Sequence, residues 1–106
     1  MKTEAPPIAK AHWVRVRPNG ERTTITAEIG QPYQMEEGCW GTPVALHGLD
    51  GRLSDICGVD SLQSLSLTLQ LVRRRLASLV AGGDHLLFTE GGDVPVQTYF
   101  AGTHEH

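Results

Sequence analysis

An amphipathic helix constrains the fold of this chain more than any other feature of its sequence. Apolar residues recur at steps of three and four between positions 62 and 79, a spacing that places them on one side of a helix. They are Leu62, Leu65, Leu69, Val72, Leu76 and Leu79. A helix over residues 61–81 with such a stripe needs an apolar surface to cover, so a second layer of structure is expected.

Both ends of this helix carry suitable residues. Asp60 is expected to cap the first turn, because its carboxylate can accept hydrogen bonds from the exposed amides there. Gln63, three residues later, is expected to reach back to the amide of Asp60. Gly82 and Gly83 are typical of a helix end. A polar ligand held by Asp60 and Gln63 is an alternative, but the cap accounts for both residues.

A β-hairpin is predicted before the helix. Two segments of alternating polarity flank Asn19-Gly20, a pair that favours a two-residue type I′ turn because both positions need positive φ. This turn pairs Val16 with Thr23 and Val14 with Ile25. A bulged turn would turn the second strand over, so the two-residue turn is preferred. One face of the predicted hairpin then carries Trp13, Arg15, Arg17 and Arg22.

A second hairpin is predicted around Asp50-Gly51, with strands over 43–49 and 52–57. Its register leaves Asp55 on the apolar face, and either a bulge or a sheet edge would relieve this. The segment 33–42, between the two hairpins, is predicted to be a loop.

Two more strands, over 85–89 and 94–100, are expected after the helix. The second is an edge or bulged strand, because Pro95 cannot donate to a ladder. The predicted order is ββ-ββ-α-ββ. The fold class is therefore α+β, an antiparallel sheet of about five or six strands built from hairpins, with one long helix packed on one face.

Composition narrows the classes of function. The 106 residues are 40% hydrophobic and 20% charged, which predicts one domain over 1–106, with an extended lead-in (1–11) and a polar tail (101–106). The net charge of −3 argues against binding to nucleic-acid phosphates. Neither a membrane helix nor an apolar leader segment is found, so no membrane partner and a cytoplasmic location are expected.

No catalytic, cofactor or metal motif is found. Cys39 and Cys57 are too few for a disulfide scaffold and are interpreted as small apolar residues, and the histidines lack metal-ligand spacing. His47 and Ser54 face each other in the predicted second hairpin, but no third group orients them. We therefore expect no cofactor, no metal and no enzymatic activity.

The motifs beside the helix resemble those of a small bacterial domain family of unknown function. They are Ile29-Gly30-Gln31-Pro32, a loop with Trp40, and the helix start at 58–65. The resemblance covers about residues 13–76. One departure is Cys39, which precedes the tryptophan, whereas the family's cysteine follows it. The resemblance implies a compact bacterial cytosolic protein and brings no activity with it.

Two leucines point to a partner surface. Leu67 and Leu71 are four residues apart on the side of the helix opposite the stripe, next to Arg74. Either the segment Pro6-Pro7-Ile8 covers them or two copies of the helix meet, which predicts a homodimer.

The sequence thus favours a small, non-catalytic cytoplasmic protein that acts by binding a protein partner. The alternative is a nucleic-acid or small-ligand binding domain. It would use the face with Trp13, Arg15, Arg17 and Arg22, since arginines beside an aromatic ring can stack on and pair with single strands. The acidic charge balance makes nucleic acid the weaker choice.

Overall fold

The computed structural model describes residues 6–36 and 38–100. The fold is α+β as predicted, with two antiparallel sheets, one long helix packed against them and one short helix. The first strand begins at Ala9, within the segment predicted as a lead-in over 1–11. Residues 1–5 of that lead-in, and the predicted polar tail over 101–106, lie outside the described residues.

The described residues form eight strands and two helices. The strands are β1 (Ala9–Val16), β2 (Arg22–Ile29), β3 (Tyr33–Gln34), β4 (Trp40–Thr42), β5 (Val44–His47), β6 (Gly51–Arg52), β7 (Ile56–Gly58) and β8 (His85–Phe88). The helices are α1 (Ser61–Ala81) and α2 (Val96–Tyr99). The larger sheet has the order β6-β5-β2-β1-β8, and the smaller sheet has the order β3-β4-β7.

The first hairpin forms, but its predicted register is wrong by one residue. Trp13 pairs with Ile25, and Val16 pairs with Arg22. Because side chains alternate between the two faces of a sheet, this shift moves Trp13 to the face that carries Ile25 and away from the face that carries Arg22. Trp13 is thereby placed in the core, where it is 2% exposed.

The turn explains the register. The amide of Arg17 donates to the carbonyl of Glu21 at 2.8 Å, which encloses three residues, 18–20. Only Gly20 among them has positive φ, at +90°, whereas a type I′ turn would also need it at Asn19. Pro18 favours the observed turn, because its ring fixes φ near the value that the second position of a type I turn requires.

The second predicted hairpin is wrong in both register and partner. β5 pairs with β6 through Ala45–Arg52 and Leu46–Gly51, so the turn comprises residues 48–50 rather than Asp50-Gly51. β7 does not pair with β5. It joins β4 in the smaller sheet, and the segment 33–42 that was predicted to be a loop contributes β3 and β4 to that sheet.

The chain after α1 is only partly as predicted. β8 forms and pairs with β1, with Trp13 opposite Phe88. The strand predicted over 94–100 is wrong, because α2 lies in this segment. Pairing with β8 is limited to an isolated bridge between Leu87 and Asp93 and to a hydrogen bond from the amide of Val94 to the carbonyl of Leu86. Pro95 lacks the amide that a continued ladder needs.

Helix α1 has the predicted bounds but buries a different side. Its fully buried residues follow steps of four: Ser64, Thr68, Val72 and Leu76. Leu65, Leu69 and Leu79 are only half-buried, and Leu62 is 76% exposed. The helix is therefore rotated toward its small polar residues, which lie where its first half meets the smaller sheet.

An ion pair fixes the second half of α1 to the turn after β5. Arg75 donates from Nε and Nη2 to the two oxygens of Asp50, both at 2.8 Å. These hydrogen bonds hold the pKa of Asp50 below its usual value and raise the pKa of Arg75. The turn and the helix are thus held together by a charge-assisted bidentate contact.

Candidate functional site

The start of α1 is closed by a side-chain cap. The carboxylate of Asp60 accepts a hydrogen bond from the amide of Gln63 at 2.8 Å, as predicted. The side-chain oxygen of Gln63 accepts from the amide of Val59 at 2.8 Å, one residue before the amide expected from the sequence. These bonds give both side chains a structural partner, so they account for Asp60 and Gln63 without a ligand.

Two hydroxyl groups, those of Ser64 and Thr42, join α1 to the smaller sheet, and a third, that of Thr68, bonds within the helix. Ser64 donates to the carbonyl of Ile56 at 2.6 Å, and its oxygen lies 2.6 Å from the hydroxyl of Thr42. Thr68 donates to the carbonyl of Ser64 at 2.8 Å. A Cβ at Gly58 would lie 2.5 Å from the amide nitrogen of Ser64, so the helix and β7 approach backbone to backbone. This close contact explains why the helix turns its small residues inward.

The same rotation leaves apolar side chains in solvent at the beginning of α1. Val59 is 75% exposed and Leu62 is 76% exposed. Beside Leu62 lies an open cavity of about 330 Å³. It is lined by Gln31, Pro32, Trp40, Ser61, Leu62 and Leu65. We call Pro32, Trp40, Val59, Leu62 and Leu65 the Leu62 surface. Sequence periodicity missed it, because it assigned Leu62 to the buried stripe.

The predicted partner surface does not form an exposed leucine pair. Leu71 is half-buried and packs against the hydrophobic core, and Leu67 is half-buried as well. Arg74 is exposed. The rotation of α1 that exposes Leu62 also moves Leu67 and Leu71 toward the protein.

The four residues of the predicted polar face are dispersed. Trp13 is buried in the core, and Arg15, on the same face, donates from Nε to Asp84 at 2.6 Å. Arg22 is exposed on the opposite face of the sheet, and the Nε of Arg17 lies 3.6 Å from a carboxylate oxygen at the turn. The shifted register therefore leaves no common aromatic and arginine surface for a nucleic acid.

Three sulfur atoms meet on the smaller sheet. The thiols of Cys39 and Cys57 donate to the thioether sulfur of Met35, at 3.7 and 3.5 Å. Gly41 lies opposite Cys57 in the register, and a Cβ at Gly41 would lie 2.8 Å from the sulfur of Met35. We call Met35, Cys39 and Cys57 the sulfur cluster. The cluster was not predicted from the sequence, because Cys39 and Cys57 were interpreted as small apolar residues and because Met35 meets Cys57 only through the pairing of β4 with β7.

A tyrosine and an aspartate tie the edge of this sheet together. The hydroxyl of Tyr33 donates to the carboxylate of Asp55, which also accepts from Arg52 at 3.3 Å. These contacts explain how Asp55, expected on an apolar face, is accommodated. The hydrogen bond to Asp55, followed by burial and by the negative charge nearby, raises the pKa of Tyr33 above its ordinary 10.0.

The Tyr99→Phe variant leaves Tyr33 as the single tyrosine, so its ionisation can be measured by ultraviolet absorbance as a function of pH. We expect Tyr33 to ionise with a pKa above the ordinary tyrosine value. Asp55→Asn in the same background should bring the pKa of Tyr33 down, because the carboxylate charge is removed. The hydrogen bond stabilises the neutral phenol. Its contribution to stability is therefore present below about pH 10 and is lost as the pH rises through the folded-state pKa. Identical titrations of the two proteins would contradict this contact.

The remaining chemical groups do not assemble into a reaction site of the kind considered from the sequence. His47 pairs in register with Thr26, and its Nε2 lies 3.3 Å from Glu28, whose pKa it lowers. It is not paired with Ser54. Within 6–36 and 38–100, no three His, Cys, Asp or Glu side chains are grouped to hold a metal ion. No helix in the same ranges is long and apolar enough to cross a membrane.

The fold is that of a small α+β domain, and the residues at the start of its long helix serve as a structural cap. The chain belongs to the family described as Domain of unknown function (DUF6968), whose sequence model matches residues 11–96. This confirms the resemblance to a small domain family of unknown function. No curated protein and no solved structure matches the chain.

Proposed function

We propose that this protein acts by binding rather than by catalysis, as a homodimer formed through the Leu62 surface. The observation that carries the proposal is the exposure of two large apolar side chains three residues apart at the start of α1, 76% for Leu62 and 75% for Val59. Exposed apolar side chains gathered at one place, rather than scattered singly, are typical of protein-binding surfaces.

The shape of the surface favours a second copy as the partner. Leu62 projects into solvent directly beside a cavity that it helps to line with Pro32 and Trp40. A two-fold axis brings the same patch of both subunits together, so the projection of each copy can enter the cavity of the other. A surface with a projection next to a recess is suited to such self-complementary contact.

The chemistry of the surface also supports this assembly. Its five members are apolar or aromatic, and interface cores are depleted of charged residues and enriched in aromatic ones. Burying a leucine or valine side chain that is otherwise exposed contributes about 1.5–3 kcal/mol. Because each copy supplies both Leu62 and Val59, a symmetric dimer gains this contribution at four side chains.

A cytoplasmic location accompanies the proposal. Neither Cys39 nor Cys57 forms a disulfide, which fits a reducing compartment. If the dimer also binds a different protein, that protein contacts another surface, because the Leu62 surface is already buried between the two copies.

Sedimentation equilibrium on the purified chain tests the dimer. We expect the wild type to reach twice the chain mass of 11.5 kDa. Leu62→Glu should remain a monomer, because a charge replaces the projecting side chain. The fold should survive, since an acidic residue in the first turn is favoured by the helix dipole. A wild type that remains at 11.5 kDa up to about 1 mM would overturn the proposal.

Two control variants locate the interface. Val80 is 44% exposed near the opposite end of α1, so Val80→Glu introduces the same charge away from the Leu62 surface. We expect it to dimerise like the wild type. Leu67→Glu tests the interface predicted from the sequence. If Leu67→Glu is a monomer while Leu62→Glu still forms a dimer, the interface lies at Leu67 and the proposal is contradicted.

A further inference from the structure

We propose that Met35, Cys39 and Cys57 bind one Cu(I) ion through their three sulfur atoms. None of the three residues belongs to the Leu62 surface, although Val59 of that surface lines the same cavity as the two cysteines. The proposal rests on the geometry of the sulfur cluster, on the softness of its donors and on an open path from solvent.

Two of the three pairs of sulfur atoms are already close to the spacing that a metal requires. An ion bonded to three sulfurs in one plane at about 2.3 Å each holds neighbouring sulfurs about 4.0 Å apart. The thiols of Cys39 and Cys57 lie 3.7 and 3.5 Å from the sulfur of Met35. Both contacts with Met35 thus need only small adjustments to admit the ion, and side-chain rotation has to bring the two thiols to the same spacing from each other.

The donor set selects the metal. Thiolates and thioethers are soft ligands, and they favour Cu(I) over cations that prefer oxygen or nitrogen. Zinc in structural sites takes four Cys, His or carboxylate ligands. In the described part of the chain, no third His, Cys, Asp or Glu joins the two cysteines. A thioether as third donor is a poor substitute for Zn²⁺ and a good ligand for Cu(I).

The backbone prepares the position of Met35. Gly41 lies opposite Cys57 in the register, so these two positions share one face of the smaller sheet, and Cys39 lies just before β4. Any side chain at Gly41 would overlap the sulfur of Met35, since its Cβ would lie 2.8 Å away. The missing side chain at Gly41 is thus what allows Met35 to lie between the cysteines.

The same register disfavours a disulfide. If the register is extended by one residue beyond Trp40, Cys39 and Cys57 become diagonal neighbours, and diagonal positions have Cα atoms about 7–8 Å apart, beyond the usual disulfide range of about 4.4–6.8 Å. Both thiols are instead directed at Met35. A shared ion joins them without drawing the strands together.

Solvent reaches the cluster. Cys57 is exposed, and both cysteines line an open cavity of about 420 Å³ with Gly58, Val59 and Gln63. An incoming Cu(I) displaces the proton of each thiol, so two protons go to solvent and the oxidation state of the metal does not change. The bound unit, one Cu(I) with two thiolates and a neutral thioether, carries a charge of −1.

Anaerobic competition with the Cu(I) chelator bicinchoninate, added to the reduced full-length chain, tests the site. We expect one Cu(I) per chain, with three sulfur neighbours in the X-ray absorption spectrum. Cys39→Ser and Cys57→Ser should each weaken binding by about a hundredfold or more, because a thiolate ligand is lost. Met35→Leu keeps the side-chain volume and should weaken binding about tenfold and leave two sulfur neighbours.

A substitution at Gly41 tests whether the position of the Met35 sulfur matters in addition to the identity of the three ligands. Gly41→Ala keeps all three ligands but displaces the sulfur of Met35, so its affinity should fall toward that of Met35→Leu. Gly82→Ala is the matched control, because its Cβ would meet only ordinary contacts at 3.5 Å, and it should bind like the wild type. Wild-type affinity and sulfur count in Met35→Leu, or wild-type affinity in Cys57→Ser, would overturn the three-sulfur site. Circular dichroism confirms that each variant is folded.

Discussion

Replacing Trp13 by alanine is expected to lower the free energy of unfolding by about 3–5 kcal/mol. Trp13 is 2% exposed and lies between its register partners Ile25 on β2 and Phe88 on β8. Its ring meets that of Tyr99 edge to face, with centroids 5.8 Å apart. Truncation removes this packing and leaves a cavity in the core beside β1, and the two costs add.

Urea unfolding of the Trp13→Ala and Arg22→Ala variants measures this loss and tests the register of the first hairpin. Arg22 is exposed on the other face, so its truncation should change stability by no more than about 0.5 kcal/mol. In the register predicted from the sequence, both side chains would lie on one outer face and both losses would be small. A loss below about 1 kcal/mol for Trp13→Ala would therefore contradict the observed pairing.

Local signals predicted α1 well. The cap at Asp60 and the glycines after Ala81 act within one turn of the helix, so its bounds follow from neighbouring residues alone. The rotation of the helix about its axis, by contrast, does not follow from neighbouring residues. Hydrophobicity ranks Leu62 above Ser64, whereas the close approach of Gly58 admits only a small side chain at position 64.

Strand registers failed for a related reason. An Asn-Gly or Asp-Gly pair identifies a hairpin, but one additional residue in the turn reverses every side chain of the following strand. In the first hairpin Pro18 adds that residue. In the second hairpin the turn begins at Gly48. The partner of β7 is β4, and a strand of three residues, 40–42, is too short to be recognised from an alternating pattern.

The two candidate sites depend on these nonlocal features. The Leu62 surface follows from the rotation of α1, and the sulfur cluster needs Met35 and Cys57 to meet across paired strands although they are 22 positions apart. Spacing rules for metal ligands consider neighbouring Cys and His residues and omit methionine in a loop. The sequence supplied the members of both sites, and the tertiary pairing supplied their arrangement.

Gly48→Ala is expected to destabilise the protein by about 3 kcal/mol or more, through two effects that one control separates. Gly48 has φ +88°, and a Cβ there would lie 2.1 Å from the carbonyl oxygen of Thr24 on β2. Gly51, in the strand after the same turn, has φ +70° with nothing within 4 Å of its Cβ. Gly51→Ala therefore carries the backbone strain alone, about 1–2 kcal/mol.

The clash at Gly48 has no inexpensive relief. Its obstacle is the backbone of a central strand, and the turn cannot retreat freely because Asp50 is held by both hydrogen bonds from Arg75. The difference between Gly48→Ala and Gly51→Ala in urea unfolding isolates the steric term. Equal losses would mean that the turn does not lie against β2. A larger loss for Gly48→Ala would confirm that this glycine sets the approach of the β5–β6 turn, and with it the position of the Asp50 contact to α1.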